Sequence, residues 1–250
     1  MRWIVYLVKC LLAGFVLMQA YFAIQISLWT TIDPQSTAFQ RAERWRLCAW
    51  QWTCSAQSHW TPYDKISNNL KRAVLVSEDD IFFQHKGVRV EDMQKAWEKN
   101  QQQNQQKSGP KSKTPLRGGS TITQQLAKNL FLSSEQSYLR KGQELIITGL
   151  LELILTKQRL FEMYLNSVEW GEGVFGIGAA ARHYYGVNPA NLDREQSAAL
   201  ASALPAPKCF DKQQHYYCGS INYAARQDFI LENMGRVALQ PPVLQPKKAK

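Results

Sequence analysis

The sequence predicts a mainly α-helical chain preceded by one N-terminal transmembrane helix. Three observations carry that reading: an uncharged apolar run at Cys10–Leu28, apolar residues recurring at helical spacing through most later segments, and few stretches that alternate with period two. A length of 250 residues suits one sizeable domain, with a small lobe and an anchor.

From Cys10 to Leu28 the chain reads CLLAGFVLMQAYFAIQISL. Roughly 20 such residues span the hydrocarbon core of a bilayer. Gln19 and Gln25 weaken the run, while Trp3 and Trp29 suit the two interfaces. Arg2 and Lys9 precede it, so the positive-inside rule puts the N-terminus in the cytoplasm and the bulk of the chain across the membrane. The run is long for the core of a cleaved signal peptide, and no A-x-A site follows it. Lys9 directly before Cys10 argues against a lipoprotein.

The expected organisation is a tip and anchor at 1–30, a connector at 31–64, a folded domain at 65–235 and a basic tail at 236–250. Residues 31–62 are rich in Trp, Gln and Thr without clear periodicity, which suits a membrane surface. Leu70, Ala73 and Val74 predict a helix over Asn69–Val76, ending near Ser77, and a second is expected over Val90–Lys99. The low-complexity QQQNQQKSGPKSKTP then reads as a mobile loop. Helix resumes in STITQQLAKNLFL and breaks near Ser133-Ser134. It continues from Tyr138 to about Asn166, with Leu145, Ile146, Leu150, Leu153, Ile154, Leu160 and Tyr164 on its buried side. Five glycines and three alanines at 171–186 point to close backbone packing. A last helix is expected from Asp193 to Leu204, stopped by Pro205 and Pro207.

Lys+Arg 30 against Asp+Glu 20 gives a formal charge of +10, which favours an anionic partner. Phospholipid head groups or a phosphorylated substrate suit an exported domain; nucleic acid does not. Five cysteines are present, and export makes disulfides plausible for Cys48, Cys54, Cys209 and Cys218. Bridges Cys48–Cys54 and Cys209–Cys218 are the favoured pairing, against free thiols. No C-x-x-C marks a zinc site.

Chemistry concentrates in three places. Glu78, Asp79 and Asp80 are adjacent, so they repel one another unless cations compensate, and a carboxylate held in a cleft makes a general base. The same residues also suit a solvated turn after a helix, and His85 alone decides nothing. Arg117-Gly118-Gly119-Ser120-Thr121 opens a helix whose unpaired N–H groups and hydroxyls would cradle an anion, with Thr121, Gln125 and Lys128 along one face. The alternative is an N-cap on an exposed helix. A Walker A loop does not fit, because no Gly-Lys-Ser/Thr follows at the required spacing. Finally, Arg140, Lys141 and Glu144 are spaced as intrahelical ion pairs, and equally as a carboxylate with two cations for a diphosphate.

In order, SEDxxFxxH, GGSTITQQLAKN, RKxxE, ExYLNxxxxGxxxxGxxAAxxYYG and LxxxxxAxLxxxLPxP resemble the peptidoglycan glycosyltransferases, the lipid II polymerases of bacterial walls. The likeness covers about residues 65–210, and the short chain is similar to the monofunctional biosynthetic transglycosylases. It implies a lysozyme-like domain with a small membrane-associated jaw. It also implies Glu78 as the base, Glu144 as the second family glutamate, and Lys128, Arg140 and Lys141 as cations for the leaving diphosphate. Asp79, His85, Arg117, Ser120, Thr121, Gln125 and Asn129 would line the substrate cleft. No cofactor is required by the resemblance; a divalent cation, Mg or Mn, at the diphosphate is left open. Implied partners are lipid II, lipid-linked glycan chains, membrane lipids, and divisome proteins or bifunctional synthases. The implied location is the bacterial inner membrane, single-pass, with the catalytic domain periplasmic. One departure stands out: His85-Lys86-Gly87-Val88 is followed by Arg89 where the family often has an acidic residue. A lytic transglycosylase or lysozyme-like enzyme that cuts glycan, and a non-catalytic membrane-anchored scaffold, are the competing readings.

Overall fold

The computed structural model describes residues 2–51, 57–89, 94, 119–135, 137–211 and 221–239. The Gln-rich stretch, most of the tail and, Gln94 apart, the helix expected over Val90–Lys99 lie outside the described residues.

Helix α1 (Arg2–Leu28) has 27 residues and is long and apolar enough to cross a membrane. At 1.5 Å per residue it measures about 40 Å, longer than the ~30 Å hydrocarbon core. Its C-terminal part rests on the rest of the protein. Ile26 is fully buried, and the Phe131 ring lies 4.9 Å from Phe22 and 5.1 Å from Trp29. The Arg159 guanidinium clamps the exit of the helix, donating to the carbonyls of Trp29 (2.9 Å) and Ile32 (3.1 Å) and to Asp33 (2.7 Å). Gln19, which weakens the apolar run, exchanges two amide hydrogen bonds with Gln143 at 3.2 and 3.0 Å. An amide without a partner in hydrocarbon is costly, so this reciprocal pair removes the penalty.

Helix α2 (Ala38–Gln51) lies within the stretch that showed no periodicity. Its buried side is Gln40, Glu43 and Leu47, too polar to print an apolar stripe. A reciprocal cap starts it: Thr37 N–H donates to Gln40 Oε1 (2.9 Å) and Gln40 N–H to Thr37 Oγ1 (3.1 Å). Its other end is tied down by charge. Arg46 binds Glu43 (2.5 Å) and Glu172 (2.7 Å), and Lys208 reaches Glu43 (2.7 Å) and Glu169 (3.6 Å).

Within that cluster, burial pushes the Glu169 carboxyl up to about 7, with Lys208 opposing and Glu43 adding to the rise. A carboxylate whose pKa is higher folded than unfolded stabilises the fold while protonated. That contribution fades as pH climbs from the ordinary carboxylate range through about 7. Between pH 5 and 8 the wild type should lose on the order of 2–3 kcal/mol of stability from this group, several degrees in melting temperature. Glu169→Gln should flatten the loss; equal slopes for the two proteins in thermal melts would refute the assignment.

Helix α3 (Asn68–Glu78) starts at Ser67, whose side chain accepts from Asn69 N–H, and buries Leu70, Ala73, Val74, Leu75 and Val76. The predicted helix is therefore present, with one residue added before it and two after. It packs on α8 (Arg194–Ala203) and α10 (Tyr223–Asn233). Helix α4 (Ile122–Phe131) packs on α5 (Tyr138–Ile154) and α6 (Lys157–Ser167). The single helical region expected from Tyr138 to Asn166 is thus two. Leu155 is extended and Thr156 caps α6 by accepting from Arg159 N–H.

The buried side of α5 also differs from expectation. Leu160 and Tyr164 are buried as expected on α6, yet α5 buries Glu144, Ile147, Thr148 and Leu151 and leaves Ile146 and Leu153 exposed. Apolar residues occupy more than one face of α5, and periodicity alone cannot say which face the core takes.

A small three-stranded sheet, order β1-β3-β2, is formed by β1 (Gln57–Ser58), β2 (Glu169–Gly171) and β3 (Val174–Phe175). Strands this short leave no alternation to read. Helix α7 (Ile177–Tyr185) follows, and α9 (Pro207–Asp211) lies between α8 and α10. Two glycines explain the small-residue segment. Gly176 has φ +76°, and a Cβ there would sit 2.7 Å from the Asn166 carbonyl; one on Gly178 would sit 2.6 Å from the His59 carbonyl. Asn166 ties the same region together, accepting from Thr61 N–H (2.7 Å) and donating to Thr61 O (2.9 Å). Cys48 and Cys209 are both disulfide-bonded, which excludes free thiols at those two positions. Cys54 and Cys218 lie outside the described residues.

Candidate active site

Glu78 is the last residue of α3, mostly buried, and both of its carboxylate oxygens are engaged. Gln125 on α4 donates its amide to Oε2 (2.9 Å), and Ser77 Oγ lies 3.0 Å from Oε1. The Gln125 amide is itself oriented, because the buried Tyr164 hydroxyl donates to its Oε1 at 3.1 Å. Ser77 Oγ also lies 3.0 Å from the Ala201 carbonyl and accepts from Arg226 (3.1 Å). Its one proton serves either Glu78 or Ala201. The Arg226 guanidinium, carried by α10, stands 4.0 Å from Glu78 Oε1.

The neighbouring acids are compensated rather than left to repel. Asp79 is buried and bonds the His85 ring at 2.8 Å. Gly87 N–H donates to His85 Nδ1 (3.0 Å), so Nε2 carries the proton and donates to Asp79. Arg89, the departure from the expected acidic residue, lies 3.4 Å from Asp80 and 3.7 Å from Asp79. It thus supplies positive charge to the acidic turn.

The anion cradle expected at the start of α4 is filled from within. Ile122 N–H donates to Asp79 Oδ2 (3.2 Å), so a protein carboxylate occupies the helix N-terminus. Thr121 is the N-cap in a reciprocal box with Gln124, and its hydroxyl donates to the Gly87 carbonyl (2.5 Å). These bonds turn Thr121, Asp79 and His85 inward, where they fix the turn after Glu78 against α4. Ser120 is half-buried, its carbonyl 3.5 Å from the Gln125 amide; Arg117 lies outside the described residues.

A second group lies along the same helix. Lys128, one turn beyond Gln125 on α4, is half-buried, and Asn129 beside it is buried. Burial pushes the Lys128 amine down; Glu144 opposes this, Arg140 and Lys141 add to it, and Glu78 opposes it. Glu144 is buried in α5 with both oxygens ion-paired, to Arg140 (2.7 Å) and to Lys141. Both predicted intrahelical pairs therefore form. Among the described residues no ion pair joins Lys128 to a carboxylate. The whole arrangement is a carboxylate in a hydrogen-bonded socket, with three cations beyond it. It can remove a proton at one end and receive negative charge at the other.

A family model described as Transglycosylase matches residues 48–235. A biosynthetic peptidoglycan transglycosylase of Cupriavidus metallidurans is 55% identical over 242 residues, covering 96% of this chain and 99% of that protein. Proteins of the same description from Cupriavidus pinatubonensis and Ralstonia nicotianae are 54% and 50% identical, each over 96% of this chain, covering 92% and 99% of their own lengths. The chain belongs to the transglycosylase family.

The candidate site contains three residues that sequence reasoning passed over. Tyr164 was placed among the core-lining side chains, and it is buried; its hydroxyl, spaced from Glu162 in the E-x-Y motif, is what sets it apart. Ser77 directly precedes Glu78. Arg226 comes from α10, beyond the last recognised motif, and nothing in the local sequence marks it.

Proposed function

We propose that this transglycosylase polymerises peptidoglycan glycan strands from lipid II at the periplasmic face of the bacterial inner membrane. Glu78 accepts the proton of the acceptor GlcNAc 4-hydroxyl, and that oxygen attacks C1 of the donor MurNAc. The α-linked undecaprenyl diphosphate departs, and a single displacement leaves a β-1,4 bond. A diphosphate needs no strong acid to leave, but its charge must be met as it develops. Lys128 meets it, with Arg140 and Lys141 held in place by Glu144.

The observation that carries this reading is the division of charge along α4. Gln125 holds the carboxylate that takes the proton, and Lys128, one turn on, presents an ammonium that no carboxylate neutralises among the described residues. A glycan-cutting enzyme needs a proton donor at the glycosidic oxygen and has no use for three clustered cations. A scaffold needs neither. A divalent ion at the diphosphate would find Glu144 with both oxygens already ion-paired, and the described residues hold no cluster of three potential ligands. Glu144 is therefore read as the partner of Arg140 and Lys141, and no step is routed through a metal.

The anchor supports the same account. Leu139 and Leu153 of α5 are 89% and 82% exposed, and α1 packs on α5. Such an apolar face beside a membrane helix suits a jaw dipped into the lipid, where the substrate tail resides. To test the reading, purified full-length protein in detergent is given fluorescent lipid II and the product is digested with a muramidase. Strands cleaved to disaccharide units are expected; a product resistant to the muramidase would overturn the β-1,4 assignment.

A further inference from the structure

Lys128 poses a physical problem that its own neighbourhood answers. A half-buried ammonium is disfavoured by burial, and Arg140 and Lys141 repel it. Among the described residues, the charged groups that face it are Glu144, Arg140 and Lys141 from α5 and Glu78 from α3. Glu144 is already committed to the two α5 cations. A further carboxylate would keep Lys128 charged but would cancel the charge that a leaving diphosphate requires.

The structure supplies an aromatic ring instead. Lys128 Nζ lies over the Phe39 ring, 5.5 Å from its centroid. Phe39 is half-buried in the first turn of α2, and α2 packs against α4. Its position is set from both sides. The Thr37–Gln40 cap fixes the turn that carries it, and the Glu43–Arg46–Glu172–Lys208 cluster fastens the far half of the helix. A ring face attracts a cation through its quadrupole, within about 6 Å, and holds no net charge of its own.

We propose that Phe39 is a positioning residue for Lys128: the ring holds the ammonium in the cleft and favours its charged form without neutralising it. Helix α2 thereby becomes part of the catalytic apparatus, although it lies before the first recognised motif. This inference rests on the reading of Lys128 as the diphosphate contact.

The test is the pH profile of kcat/KM for lipid II polymerisation by the full chain in detergent. Phe39→Leu should move the alkaline limb down by about half to one pH unit, because less of Lys128 remains charged. Phe39→Tyr, which keeps a ring, should restore it. Phe39→Met serves the same purpose as Phe39→Leu should the latter misfold. In a Lys128→Arg background, where the cation does not titrate, Phe39→Leu should leave the limb where it is. A limb unmoved by Phe39→Leu and Phe39→Met, or one moved equally in the Lys128→Arg background, overturns the role of Phe39. An unimpaired Lys128→Ala enzyme instead overturns the diphosphate contact on which the proposal rests.

Discussion

Glu78→Gln is expected to abolish strand synthesis while leaving the fold intact. The substitution keeps the volume of the side chain, and an amide can still meet Gln125 and Ser77, so the socket around it survives. What it removes is the capacity to take a proton from the acceptor hydroxyl. General-base catalysis contributes typically 10²–10⁴-fold, and a loss in the upper part of that range is expected because the adjacent acids are already committed, Asp80 to Arg89 among them. Asp79 is locked to His85 and to the start of α4. The check is a steady-state rate beside a thermal melt. A variant that melts within a few degrees of wild type and retains more than a tenth of its rate would remove Glu78 from the role.

Lys128→Ala should cost on the order of 10²–10³ in kcat, the magnitude typical of removing one donor to a developing anion. The change should fall on kcat more than on KM, since the interaction strengthens as charge moves onto the diphosphate. Stability should hardly fall, because among the described residues Lys128 makes no ion pair whose loss would leave a buried carboxylate stranded. Lys128→Arg should retain more activity than Lys128→Ala. Parallel losses of melting temperature and rate in Lys128→Ala would return the residue to a structural role.

These expectations show what was legible in the chain and what was not. Helices α3, α4 and α8 could be read from apolar residues at helical spacing and from the proline stop after α8; the structure shows capping residues at Ser67, Thr121 and Asp193. Helix α2 could not, because charge and capping hold it in place of an apolar face. The split between α5 and α6 turned on the cap at Thr156, which the continuous apolar pattern hid. The face of α5 was misread for a related reason: the helix is apolar on more than one side, with Ile147 and Leu151 buried and Leu139 and Leu153 exposed.

At the site, spacing alone put Gln125 and Lys128 on one face of α4; their roles came from the family resemblance, and the bond from Gln125 to Glu78 was not foreseen. The helix start stayed ambiguous. Glycines and hydroxyls before a helix advertise an anion cradle and an internal cap with the same residues, and here Asp79 and Gln124 take the bonds. Tyr164 and Arg226 were hidden for opposite reasons, one inside a pattern that reads as core and the other in a helix with no pattern at all.

The central claim is that this chain builds glycan, and one reaction tests it most directly. Purified full-length protein is incubated with lipid II and pre-formed strands together, following strand length and released undecaprenyl diphosphate in the same sample. The account predicts that strands lengthen and that one diphosphate appears for each disaccharide added. Strands that shorten without diphosphate release would contradict it.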